Sequence, residues 1–138
     1  MAAIKRFEDL ECWQEARKLV QLIYRITKNN SFDKDFRLVA QITNSAVSSM
    51  ANIAEGFHRK SNKDFMKFLD YSRASLAETL SHSYVALDQG YISQEELEHV
   101  KQHADVVWKK VNNFITYLSK TTNKTISTNK TNSTNLTN

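Results

Sequence analysis

Side chains that could do chemistry are sparse in this chain. His99 and His103 are four residues apart, so on a helix they share a face, and Glu96 with His99 forms a Glu-x-x-His unit. Helix-bundle dimetal centres use two such units and two further carboxylates. No second unit is present, because Glu78 and His82 are four apart. Both histidines also flank an apolar seam of Leu97, Val100 and Ala104, which puts them at its solvated edge. Neither a metal site nor another cofactor is expected. Cys12, the single cysteine, sits among Glu8, Asp9, Glu11 and Glu15; neighbouring anions raise a thiol pKa and disfavour the nucleophilic thiolate. No Ser/His/Asp set lies beside a glycine-rich turn, and no glycine-rich loop is available to cradle a phosphate. No enzymatic activity is expected.

Four helical segments must carry whatever polar chemistry remains. The first spans about 9–28, with Trp13, Ala16, Val20 and Ile23 on one face and Leu19, Leu22 and Ile26 on an adjacent stripe. The second spans about 33–57, capped by Ser31 or Asp33, with Val39, Ile42, Ala46, Ile53 and Phe57 as its main stripe. Its other faces are bland: Ser45, Ser48, Ser49, Ala51 and Ala54 carry no charge. A helix that is small or apolar around most of its girth is covered on more than one side, and in so short a chain a second subunit is a natural cover. The third spans about 62–88, opened by Ser61 with Asp64 and closed by Gly90; Phe65, Phe68, Leu69, Leu76, Leu80 and Leu87 form its apolar face. The fourth spans about 94–118, opened by the Ser93/Glu96 capping box, with Leu97, Val100, Ala104, Val107, Val111, Phe114 and Leu118 alternating three- and four-residue steps. Short connections make neighbours antiparallel.

The expected architecture is therefore all-α: an up-down-up-down four-helix bundle over residues 1–118, then a disordered Asn/Thr-rich tail over 119–138. The absence of proline and the presence of only two glycines count against a turn-rich β fold. The start of the chain lacks the long apolar stretch of a signal peptide, and no window approaches a membrane span, so a cytoplasmic protein is expected. The net charge of +4 lies mostly in the tail, where Lys120, Lys124 and Lys130 meet no acid; the near-neutral body makes overall basicity a weak argument for nucleic acid.

Position argues more strongly than total charge. In an up-down bundle the chain start, the turn near Arg59 and the far part of the fourth helix share one end. That end gathers Lys5, Arg6, Arg59, Lys60, Lys63, Lys67, Lys109 and Lys110 against Glu8, Asp9, Glu11, Glu55 and Asp64. These eight cations are the candidate phosphate contacts, giving affinity rather than sequence reading. A ring of subunits would multiply a modest basic end into a useful one. A second polar set, Asn52, Glu55, Arg73, Ser75 and Glu78, is read as a structural network tying the second helix to the third or to a neighbouring subunit. An antiparallel register about Arg59 sets Ser45 near Arg73, and Arg37 or Gln41 near Glu78.

Several blocks resemble a known family. Phe7-Glu8-Asp9-Leu10 with Trp13, Asn52-Ile53-Ala54-Glu55-Gly56-Phe57, Arg59-Lys60-Ser61 followed by Asp64-Phe65, Ser72 to Glu78, and Gly90-Tyr91-Ile92 are similar to the four-helix-bundle proteins of bacterial 23S rRNA intervening sequences, also called S23 ribosomal proteins. That family resembles in turn the accessory protein of diversity-generating retroelements. The chain departs from the pattern at Met50, where a proline is common, and at Asp64 and Ala74, where Glu and Gly are common. The resemblance implies a homopentameric ring with a central channel. With the basic end, the expected partner is RNA or DNA, or a nucleoprotein or reverse transcriptase; a protein–protein scaffold without nucleic-acid binding is the alternative.

Overall fold

The computed structural model describes residues 4–128, with side chains through Thr121. A 3-10 turn at Phe7–Asp9 leads into α1 (Glu11–Ile26), and a second at Phe32–Lys34 leads into α2 (Phe36–Phe57); α3 (Asn62–Asp88) and α4 (Gln94–Thr128) follow. α1 packs beside α2 and α4, and α3 packs beside α2 and α4, so the four form a square with chain neighbours side by side. Among the described residues there is no strand.

Each helix contributes the stripe its periodicity demands. α4 buries Leu97, Val100, Ala104, Val107, Val111 and Leu118, with Phe114 packed on the core edge. In α1 the deep positions are Cys12, Ala16, Leu19, Leu22, Ile23 and Ile26, whereas Trp13 and Val20 are only half-buried. The stripe expected to be secondary is thus the central one. α2 buries Ile42, Ala46, Ile53 and Phe57 as expected, but also Ser45 and Ser49.

Helix ends follow local chemistry. α2 starts later than its composition suggests. Asn30 adopts a left-handed φ of 47°, and the 3-10 turn buries Phe32 completely, stacked on Tyr91 with ring centroids 5.1 Å apart. The cap is therefore Asp35 rather than Ser31 or Asp33: its Oδ1 accepts from the Leu38 amide at 3.1 Å, while its Oδ2 accepts from the Tyr91 hydroxyl at 3.0 Å. Ser61 caps α3, its Oγ accepting from Asp64 N at 3.1 Å. Gly90 closes α3 at φ 76°, where Tyr91 N donates to Ala86 O and Gly90 N to Leu87 O, a Schellman arrangement. The Ser93/Glu96 box is reciprocal, with Glu96 N to Ser93 Oγ at 3.1 Å and Ser93 N to Glu96 Oε1 at 2.8 Å. Glu96 Oε2 accepts from the Asn29 amide, which joins the first interhelix loop to the start of α4.

α4 does not stop at Leu118. It continues to Thr128, and Thr121 Oγ1 donates back to the Tyr117 carbonyl at 3.0 Å. No proline or glycine interrupts this stretch, so the backbone ladder runs past the last buried residue of the seam. Of the tail expected over 119–138, residues 119–128 continue α4, and 129–138 lie outside the described residues. α2 likewise runs through Met50 unbroken.

The α2–α3 seam is unlike the others because it is lined by small polar residues. Thr79 Oγ1 donates to Ser45 Oγ at 2.8 Å, Ser75 Oγ to Ser48 Oγ at 3.0 Å, and Ser72 Oγ to the Ser49 carbonyl at 2.6 Å. The bland face of α2 is thus covered in part by α3 of the same chain. Towards the turn the seam closes on Gly56, where an added Cβ would lie 2.8 Å from Phe65 Cδ1 and 2.8 Å from Phe68 Cβ.

Candidate nucleic-acid interface

The end of the bundle at the α2–α3 turn is assembled around aromatic rings. Phe7 of the first 3-10 turn meets Trp13 and His58 edge-on at 5.2 and 6.0 Å, and His58 meets Phe57 at 5.3 Å. Phe57 packs on Phe65, and Phe65 on Phe114 of α4, at 6.2 and 5.2 Å. Asn62 Nδ2 makes a long 3.5 Å contact with the Leu118 carbonyl. The chain start, the turn and the far part of α4 therefore share one end, as the topology requires.

The eight candidate cations divide into two groups at this end. Lys5, Lys60, Lys63 and Lys67 are exposed, and among the described residues none has an acidic side chain within 4.0 Å. Arg59 points its Nη2 at Glu55 Oε2 at 3.4 Å and lays its guanidinium 4.5 Å from the Phe68 ring centre. Arg6 lies 3.9 Å from Glu8, an exposed pair of little energetic weight. Lys109 is held by Asp105 at 3.1 Å, and Lys110 by Glu11 at 2.6 Å. The hydrogen bond between these last two, aided by their mutual attraction, raises the Lys110 pKa and lowers that of Glu11. Both lysines also stand on α4, diagonal to α2 in the square. Of the eight, those without an acidic partner thus lie on the α2–α3 turn and the first turns of α3, with Lys5 at the chain start.

The polar set Asn52, Glu55, Arg73, Ser75 and Glu78 converges only in part: Asn52 and Ser75 meet at Ser48 Oγ, each donating at 3.0 Å, while the other three go elsewhere. Asn52 Nδ2 donates within α2 to Ser48 O and Oγ, Glu55 pairs with Arg59, and Glu78 with His82. Arg73 faces α4, donating to Asn112 Oδ1 at 2.8 Å and pairing with Asp70. Only Ser75 crosses from α3 to α2. The register differs too: Ser45 meets Thr79, not Arg73. Helical side chains lean toward their own N-terminus, so on antiparallel neighbours the leans oppose and contacts shift beyond the position set by Cα spacing. Ser75 is joined on α3 by Ser72 and Thr79, the partners of the bland α2 face that sequence reasoning missed, and by buried Ser83 one turn further on. The signal was the three- and four-residue recurrence of small hydroxyls opposite the serines of α2.

Cys12 is buried, and burial, with a smaller push from Glu11, raises its thiol to about 12. Desolvation, not the surrounding acids, is the main cause. Among the described residues no group of three His, Cys, Asp or Glu side chains could hold a metal, and no helix is long and apolar enough to cross a membrane.

The 23S rRNA-intervening sequence protein family model matches residues 8–113, most of the helical body. The chain belongs to that family. Its fold is similar to the crystal structure of a protein of unknown function from the S23 ribosomal protein family of Bacteroides thetaiotaomicron VPI-5482, with a TM-score of 0.69 and 23% identity over 75% of this chain and 97% of that one. No curated protein matches the chain. The family match ends at residue 113, before the part of α4 that runs past the buried seam, so the matched region is the square of helices.

Proposed function

We propose that this chain is a non-catalytic, ring-forming protein, pentameric by its resemblance, that binds nucleic acid, and structured RNA first, through the end of the bundle at the α2–α3 turn. The observation that carries this reading is the cluster of unpaired lysines, Lys60, Lys63 and Lys67, beside Arg59 on an end that also holds Lys5. The rRNA named in the family's description supports RNA over other polyanions. Lys109 and Lys110 play a lesser part, because their charge is already matched.

Association is supported by the surface left bare. Phe36 is 81% exposed, and Ala40, Val47 and Ala51 make an uncharged outer strip along α2. Each protomer brings only a few free cations, so repetition around a ring is what makes the contacts strong. The competing reading, a scaffold or accessory subunit for a reverse transcriptase or other protein, draws on the open groove between α3 and α4 lined by Leu76, Leu80, Ala104 and Trp108.

The test combines light scattering with RNA binding across a salt series. A multimer whose RNA affinity falls steeply with salt is expected, since each neutralised phosphate releases counterion. Equal retention on RNA at low and high salt, or none at low salt, overturns the nucleic-acid reading. A monomer at micromolar concentration overturns the ring. A nuclease-resistant pull-down of a protein partner without RNA affinity favours the scaffold.

A further inference from the structure

The basic turn carries an aromatic ring that phosphate binding alone does not need. Tyr71 is 47% exposed and lies four residues beyond Lys67, itself four beyond Lys63. Residues at that step share a helix face and rise about 6 Å each time. The Tyr71 ring is held edge-on by Phe68, with centroids 5.5 Å apart and planes at 80°, and the Arg59 guanidinium lies over the Phe68 ring. Two acids of this stretch are engaged, Glu55 by Arg59 and Asp70 by Arg73, while Asp64 in the first turn of α3 stands against the row as a local anion.

We infer that the interface takes unpaired nucleotides, a base stacking on the Tyr71 ring while its flanking phosphates lie on Lys67 and Lys63. This rests on the nucleic-acid reading above and narrows it to single-stranded segments such as loops and ends. In a duplex the faces of the bases are already stacked, and a side chain ring on a helix surface gains nothing from them. An unpaired strand offers every base as a flat apolar surface, and aromatic platforms beside a cationic track are how sequence-tolerant single-strand binders work. Phe68 and Arg59 keep the platform in one orientation, so little side-chain freedom is lost on binding.

The test uses the full chain, a fluorescent RNA of about 12 nucleotides, and the same strand annealed to its complement. Tyr71→Leu and Tyr71→Gln remove the stacking face at an exposed position, and Tyr71→Phe keeps it. Circular dichroism identifies the folded variants, and either of the first two suffices. Single-strand affinity is expected to fall about tenfold with Leu or Gln and to hold within about twofold with Phe. Duplex affinity is expected to be unchanged by all three, while Lys63→Gln with Lys67→Gln weakens both forms. If Leu and Gln leave single-strand binding within about twofold, or weaken duplex binding as much, the stacking platform is wrong and the basic-end reading survives. If the parent protein binds neither form at low salt, both fall together.

Discussion

Gly56→Ala sets two physical effects against each other, and the structure decides the sign. Gly56 is in the last turn of α2, in ordinary helical geometry, where alanine is favoured over glycine by about 1 kcal/mol. From helix preference alone the variant should be more stable. The added methyl, however, would sit 2.8 Å from Phe65 Cδ1 and 2.8 Å from Phe68 Cβ, with Phe65 Cε1 at 3.3 Å. The Phe65 ring is fully buried and wedged between Phe57 and Phe114, and the Phe68 Cβ is fixed to the α3 backbone. Neither can swing aside, so α2 and α3 must part along a seam of short hydroxyl contacts that tolerate little separation. Overpacking costs about 1–3 kcal/mol, and two contacts at 2.8 Å with atoms that cannot move place this position at about 2–3 kcal/mol, which leaves a net loss of about 1–2 kcal/mol. Urea unfolding, with variant and parent at one protomer concentration so that association does not shift the comparison, should show a midpoint lower by about 0.5–1 M at unchanged slope. In a Phe65→Leu background the same change should cost at least about 0.5 kcal/mol less, because one of the two obstructing atoms is displaced. A Gly56→Ala protein as stable as the parent would refute the argument that contact distance, not helix preference, governs this position.

Gly90 fails for the opposite reason. Nothing lies within 4 Å of a Cβ there, but its φ of 76° is left-handed, so Gly90→Ala should cost about 1–2 kcal/mol and Gly90→Asn clearly less, read by the same urea titration. Cys12 should resist iodoacetamide at pH 8 until urea unfolds the bundle; labelling of the native protein at a free-thiol rate would contradict its burial. Its folded pKa, about 12, lies above that of an unfolded thiol, so the thiol's contribution is complete below the unfolded value and is lost as pH rises toward the folded one. Cys12→Ala should therefore lose stability less steeply than the parent between about pH 9 and 12.

Helix existence and the α4 seam were readable because each depends on local periodicity. Leu97 to Leu118 alternate threes and fours, and all but Phe114 are buried. Ser61, Ser93 and Gly90 announced their ends because capping is chemistry between residues three or four apart. The start of α2 was misplaced because burial of Phe32 against Tyr91, 59 positions away, bends the chain and hands the cap to Asp35. Three members of the polar set went astray for a similar reason: carboxylates and arginines look like partners across a seam, yet Glu55, Arg73 and Glu78 find partners on the solvent side or on α4, while Asn52 and Ser75 meet at Ser48.

The sequence by itself determined that this is an all-α chain of four amphipathic helices, that its conspicuous cations flank the second turn, and to which family it is similar, since spacing and composition survive without coordinates. Only the tertiary structure decided which cations are free. Lys110 is matched by Glu11, 99 residues earlier, while Lys60, Lys63 and Lys67 have no acidic side chain within 4.0 Å. Tertiary packing likewise decided that the serines of α2 bond α3 of their own chain. Charge matching and seam pairing depend on distances of 3–4 Å between residues remote in sequence, and only a packed fold sets those distances.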